Sequence, residues 1–393
     1  MNLNRLFIGL ILLLSSCIAL AQIRVGVMTM QPGEVFWERF GHNAIVIDRD
    51  DGKEATSYNF GMFNINEAGF VPRFIRGQMR YLLAEMSIGD DLYWYQVSGR
   101  GVSIQWLNLT QQQAQDLAAA LSDNAKAENA YYDYRYFTDN CSTRVRDALD
   151  RVLEGQLKRT LSGRSRGNTY RSESVRLAWP EWWMGFGFHI GISGKGDQAL
   201  SRWDEAFIPM QLADSLNEVR LNNGQALVSS QQEILPHKIS LPPTELPRWR
   251  VHALIIGLFF SITILYFGKR SPRSIAVFAN LFWLAISLLG NALLAMWLFT
   301  THNFSHGNEN LLLFNPLAIL LLYGGLRAGL GKQCSRIFYH ILTIVLVCAG
   351  IAAFLKLLPF AKQQNLEWIL LLLPIHWALA RHFHIQSGVS ANR

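Results

Sequence analysis

With 393 residues the chain has room for two or three domains, so one compact fold is not the expectation. A formal charge of +7 would suit nucleic acid, but no Lys/Arg run is dense or interleaved with aromatic residues as a phosphate-tracking surface requires, and no nucleic-acid partner is expected. Hydrophobic content of 50% beside 17% charge is ordinary only as an average, because the apolar residues collect at the two ends.

At the N-terminus, Asn4 and Arg5 precede the apolar run Leu6 to Leu14, and Ala19-Leu20-Ala21 offers small residues at signal-peptidase spacing. This predicts a signal peptide over 1–21 and a mature start at Gln22. Leu14-Ser15-Ser16-Cys17 competes as a lipoprotein box, but the apolar segment continues past Cys17 to the small-x-small site. Of the four cysteines, Cys17 lies in the signal, Cys334 in a short basic loop and Cys348 in an apolar span, which leaves Cys141 alone in the exported part. No disulfide is possible there, and a lone thiol in an oxidising compartment is either reactive or deeply buried.

The exported domain is expected over 22–249. Asn43 to Asp48 alternates, with Ala44 and Val46 on the face of His42 and Ile45 and Ile47 on the other. Asp51-Gly52 signals a turn, Ala55 to Phe60 reads as the returning strand, and Val102 to Leu107 as a third. Thr110 with Gln113 forms a capping box ahead of Ala114 to Leu121. Asp139 and Asn140 supply caps for the next helix, Cys141 opens its first turn, and Val145, Ala148, Leu149, Val152 and Leu153 form an inward stripe. The free N–H groups of a helix start favour thiolate over thiol, and a neighbouring imidazole lowers the thiol pKa further. His42 is the best-placed imidazole; His189 lies in a less regular Trp/Gly-rich stretch. A strand histidine facing a helix-start cysteine is the working arrangement of papain-like thiol enzymes. Each residue alone also fits a bland role, Cys141 as a small hydrophobe and His42 as a hydrogen-bonded strand residue.

Arg144 and Arg146 fit a solvated helix face better than lipid-phosphate contacts. Trp179, Trp182 and Trp183 fit an interfacial aromatic patch or core.

From Val251 apolar spans alternate with short polar breaks, at about 251–268, 274–299, 311–326, 337–358 and 366–383, predicting an all-α bundle of about five membrane helices over 250–385 and a cytoplasmic tail over 386–393. The third span is interrupted by Pro316 and Gly324-Gly325, as a bent or re-entrant segment would be. With the first span running inward, Lys269, Arg270, Arg273, Arg327, Lys332, Arg336, Arg381 and Arg393 fall in the cytoplasm against only Lys356 and Lys362 outside, the bias of the positive-inside rule. That topology puts Thr300 to Asn310 beside the exported domain, with His302, Asn308 and Asn310 as candidate substrate contacts and Asn140 as a further one beside the thiol.

Several stretches resemble the Lnb lipoprotein N-acyltransferases: Arg39-Phe40-Gly41-His42-Asn43-Ala44, Tyr58-Asn59-Phe60-Gly61, and above all Asp139-Asn140-Cys141-Ser142-Thr143 with Arg146-Asp147. Leu107-Asn108-Leu109-Thr110, Phe207-Ile208-Pro209, Thr301-His302 and Asn308 through Leu312 extend the resemblance over most of residues 25–380. The order His before Cys is similar to the circularly permuted NlpC-like thiol enzymes, which include relatives of lecithin:retinol acyltransferase. The resemblance implies an α+β papain-like (permuted NlpC-like) exported domain followed by the membrane bundle, in a bacterial cytoplasmic membrane with the soluble part on the periplasmic side. It implies Cys141 as nucleophile, His42 as general base and Asn59 or Tyr58 as orienting residue, with the Cys141 backbone N–H and a nearby side chain as oxyanion donors. The reaction implied is ping-pong transfer of an acyl chain from a phospholipid, through a Cys141 thioester, to the α-amino group of a lipid-modified lipoprotein N-terminus, with no cofactor and no metal. Alternatives of other classes are an exported, membrane-anchored cysteine peptidase or amidase using the same Cys141 and His42, and a non-enzymatic membrane scaffold.

Overall fold

The computed structural model describes residues 22–49 and 53–391. The expected signal peptide, the competing box at Cys17, the Asp51-Gly52 turn and Arg393 lie outside them.

Seven strands form one antiparallel sheet in the order β6-β4-β3-β2-β1-β5-β7: β1 Arg24–Met30, β2 His42–Asp48, β3 Thr56–Met62, β4 Met79–Ser87, β5 Val102–Leu107, β6 Tyr131–Tyr134 and β7 Val228–Leu235. The expected hairpin is β2 with β3, Ile45 facing Tyr58 across the ladder, and the third expected strand is β5. Short helices α1 Phe70–Arg76 and α2 Ile88–Val97 bracket β4; α3 Gln111–Asn124 and α4 Cys141–Val152 follow β5 and β6. The period-2 pattern of β2 buries two faces. Ile45 and Ile47 pack with Leu117 of α3 and with Val145 and Leu149 of α4, while Ala44 and Val46 pack with Met28 and with Ile88 and Leu92 of α2. Full burial of each Val, Ile, Leu or Met side chain among these stabilises the fold by roughly 1.5–3 kcal/mol. The capping boxes form at both helix starts, Thr110 with Gln113 on α3 and Asn140 with Thr143 on α4.

Helices α5 Tyr170–Ala178, α6 Trp182–Gly191 and α7 Pro209–Asn217 are among those that follow in the N-terminal part, which also holds the short helices Gln156–Ser162 and Arg202–Glu205. The membrane half contains α8 Arg250–Phe267, α9 Pro272–Phe299, α10 Leu321–Gly329, α11 Arg336–Leu355 and α12 Leu366–Ala391. By length and composition four helical stretches among the described residues are able to cross a bilayer: α8, α9, the stretch Glu309–Gly329 that ends in α10, and α11. The fifth expected span, α12, is 26 residues long with Glu367 in its first turn and Pro374 inside it. It packs along α8 so closely that a Cβ on Gly257 would lie 2.5 Å from the Leu370 carbonyl oxygen.

The third span is broken as Pro316 predicts: two 3-10 turns, Glu309–Leu312 and Pro316–Leu320, precede α10. Gly324 and Gly325, expected to share in the break, instead lie within α10. They admit neighbours: a Cβ on Gly324 would meet the Phe338 ring at 2.1 Å, and one on Gly325 the Asn280 amide at 2.5 Å.

Candidate active site

Cys141 is the first residue of α4 and His42 the first of β2. Strand parity assigns His42 to the α2 face of the sheet, while α4 covers the opposite face. The two side chains nevertheless face one cavity and influence each other's charge state, because both sit at the open end of the sheet, where β2 begins and β3 finishes. At that end β3 is irregular between Phe60 and Met62, and Gly61 takes φ +87°. A Cβ there would stand 3.5 Å from Cys141 Cβ and 3.2 Å from the Tyr134 ring, so glycine keeps the passage open.

His42 Nε2 lies 3.0 Å from Asn59 Oδ1, which leaves Nδ1 to serve the sulfur. The Asn59 amide nitrogen donates to Asp91 Oδ2 at 2.8 Å and to Ser57 Oγ at 3.2 Å, and Ser57 Oγ donates to the same carboxylate oxygen at 2.8 Å. Asp91, on α2, is only 5% exposed. Because the carboxylate only accepts, it holds the Asn59 nitrogen toward itself and the Asn59 oxygen toward His42. Cys141, His42, Asn59 and Asp91 thus form one continuous chain.

Electrostatics follow from this geometry. Burial alone would lift the Cys141 thiol, but the His42 imidazole, by charge and hydrogen bond, and the backbone N–H groups of Asn43 and Ser142 bring its pKa below the ordinary thiol value. Burial would lower the His42 imidazole, but Cys141, with Asp91 behind it, leaves its pKa raised. The arrangement favours a thiolate–imidazolium pair. The expected oxyanion donor, the Cys141 backbone N–H, belongs to the first residue of α4, where helix N–H groups have no partner within the helix.

The pair opens into a cavity of about 1270 Å³ whose lining includes Phe36, Trp37, Phe63, Phe74, Tyr134 and Phe304. That exceeds the roughly 300–1,000 Å³ of ordinary small-molecule pockets. Part of its wall comes from the membrane half, through Met296 of α9 and the following segment Thr301 to Ser305.

The other expected site residues separate by position. Tyr58 is not brought to the imidazole: it is buried on the α4 face of the sheet. His302 lines the cavity, its Nε2 3.1 Å from the Ile75 carbonyl oxygen and its ring stacked on Tyr136. Asn140 also lines it, but its amide is occupied by Thr143 N–H and the carbonyls of Tyr136 and Phe207, which makes it a cap that positions Cys141. Asn308 and Asn310 stand away from the cavity. Their amides donate to the Ile190 carbonyl at 2.8 and 2.9 Å and accept from Gln363 and Asn365, joining α6 to the membrane half.

His189 serves the same joint, accepting from Trp368 Nε1 at 3.0 Å, and burial, then nearby Arg171, lower its pKa to about 4. Arg146 is not solvated as expected; it lies over the Trp203 ring at 3.9 Å and donates to the Trp203 carbonyl. Arg144 pairs with Asp139 at the helix start. Trp182 and Trp183 are exposed, whereas Trp179 packs on Phe186.

Sequence reasoning missed Asp91, Ser57 and the aromatic lining. Part of the signal was present, since Ser57 and Asn59 alternate with the core residues Tyr58 and Phe60 and so present a polar face within a buried strand.

The fold and site thus define a two-part membrane protein: an antiparallel α/β thiol domain set on a helical membrane domain. Residues 16–175 match the model of the Lnb N-terminal periplasmic domain, and residues 247–386 that of the Lnb transmembrane domain. The chain is an Lnb-type protein, with an N-terminal periplasmic domain and a C-terminal membrane domain. Neither curated proteins nor solved structures yield a match.

Proposed function

We propose that this protein is a thiol acyltransferase of the bacterial cytoplasmic membrane, moving an acyl chain from a phospholipid to the free α-amino group of a lipid-modified lipoprotein N-terminus. One observation carries the reading above all: the Cys141–His42 pair opens into a large, mainly aromatic and aliphatic cavity walled partly by the membrane half. A peptide amidase has no need of such a wall, whereas an acyl chain drawn from a bilayer does.

In the first half-reaction the Cys141 thiolate attacks the ester carbonyl of the donor. The carbonyl carbon–oxygen single bond breaks, and His42 gives its proton to the departing lysolipid hydroxyl, leaving a thioester. In the second the incoming amine attacks that thioester, neutral His42 accepts the amine proton, and the amide leaves as the thiolate and imidazolium are restored. Asn59, held by Asp91, keeps the imidazole in the ring orientation both steps require. The N–H groups gathered at the start of α4 are suited to the developing oxyanion. Exclusion of water by the apolar cavity favours the amine over hydrolysis.

The test is intact-protein mass spectrometry of the full chain after exposure to phospholipid vesicles, followed by addition of a lipoprotein with a free N-terminus. An acyl adduct on Cys141 that is discharged onto the lipoprotein amine supports transfer. Labelling by peptide-based thiol probes without a lipid adduct replaces the proposal with a peptidase, and inertness to both replaces it with a scaffold.

A further inference from the structure

Helix α1 carries two apolar stripes about 100° apart. Phe70 and Phe74 turn inward, stacking on Phe63 at 5.3 Å and meeting Phe36 edge-on at 6.4 Å. Val71 and Ile75, also one turn apart, are 55% and 62% exposed. A surface helix in water keeps its outer stripe polar, and a seven-residue helix has little stability of its own to offset the departure.

Its C-terminal end is fastened where the chain leaves the membrane span. Thr301 N–H donates to the Arg76 carbonyl at 2.8 Å, and His302 holds the Ile75 carbonyl, within three residues of the end of α9 at Phe299. Gly77, at φ +76°, permits this approach, since a Cβ there would lie 2.8 Å from Thr301 Oγ1. The exposed apolar side of α1 is therefore continuous with the lipid-facing outer end of α9, where Phe299 is exposed as well. Arg76 stands in its last turn, as cations do on helices that lie in a headgroup layer, while Arg73 pairs with Glu67 at 2.9 Å.

We infer that α1 is an interfacial helix whose Val71–Ile75 side is seated in the outer leaflet, and that the cavity opens to the bilayer beside this helix. Phe74 and Ile75 on one side and Met296 on the other belong to the cavity wall, so a chain leaving the leaflet there passes directly toward Cys141. The occupant of the exposed face is acyl chain from the membrane. Only the identity of what passes through the opening rests on the proposed phospholipid donor.

The seat is tested without turnover. In full-length protein carrying Cys17→Ala, Cys141→Ser, Cys334→Ser and Cys348→Ala, reconstituted in phosphatidylethanolamine/phosphatidylglycerol vesicles, a spin label is placed by Val71→Cys, by Ile75→Cys, or by Glu128→Cys on the exposed loop before β6. Relaxation by oxygen and by a water-soluble nickel chelate then reports depth. The oxygen-to-nickel ratio at 71 and 75 is expected to exceed that at 128 severalfold. A ratio at 71 and 75 equal to that at 128 overturns the inference. Failure of acyl transfer in the separate mass-spectrometric test would leave this depth measurement unchanged, so the two readings fail independently.

Discussion

Ser142 Oγ lies 2.8 Å from Asn43 Oδ1 and donates to it, and each of these residues immediately follows one of the reacting pair. The bond therefore clamps the start of β2 to the start of α4 one residue behind His42 and Cys141. The single Ser142 hydroxyl proton is shared with the Ala206 carbonyl, which is also within hydrogen-bond reach, and the Asn43 amide donates to Thr29 Oγ1 at 2.9 Å, so the clamp is anchored on both sides. Ser142→Ala orphans buried acceptors and should lower stability by about 1–3 kcal/mol. Denaturant melts measure that loss, and acyl transfer should fall further than the unfolded fraction accounts for.

Cys141→Ser should abolish thioester formation and N-acylation while leaving the fold and membrane insertion intact. His42→Ala should lower transfer about 10²–10⁴-fold. Lipoprotein N-terminal mass spectra check both, and wild-type activity in Cys141→Ser would refute the nucleophile assignment.

The directions of the two pKa shifts set the pH dependence of thiol reactivity. With the thiol lowered and the imidazole raised, alkylation of Cys141 by iodoacetamide should persist below the ordinary thiol pKa of about 8.5 and fall as acid protonates the thiolate. His42→Ala removes the charge partner and leaves burial unopposed by it, so the profile should move upward in pH. Alkylation rates measured between pH 5 and 10 decide this.

Asp91 reaches the sulfur only through Asn59 and His42, which makes it a positioning residue. Asp91→Ala leaves the Asn59 amide nitrogen and the Ser57 hydroxyl without their acceptor and frees the amide to rotate. Transfer should fall in kcat more than in KM, and the alkylation profile should shift in the direction given by His42→Ala. An unchanged profile with only a lower melting temperature would mean a purely structural role.

Gly61→Ala places a methyl group at φ +87° between Cys141 and Tyr134. Left-handed backbone at a side-chain-bearing residue costs about 1–2 kcal/mol, and the methyl group narrows the approach to the sulfur. Thermal melts and Cys141 alkylation rates should both decline.

Much of this protein was legible in the chain itself. Periodicity identified β2 and β3, the capping residues located the start of α4 at Cys141, and apolar spans with the Lys/Arg asymmetry outlined the membrane half. These signals are local, set by a residue's own neighbours in sequence, and so survive reading without a fold. Tertiary structure alone decided which polar residues meet. Asn59 rather than Tyr58 faces His42 because parity sends them to opposite sides of β3, and Asp91 joins from a helix 32 residues further along. Asn308 and Asn310 became braces because the carbonyls at the end of α6, more than a hundred residues away in sequence, arrive there needing donors. The meeting of His42 with Cys141 across the end of the sheet depends on where two strands stop, and that is settled only when the sheet assembles.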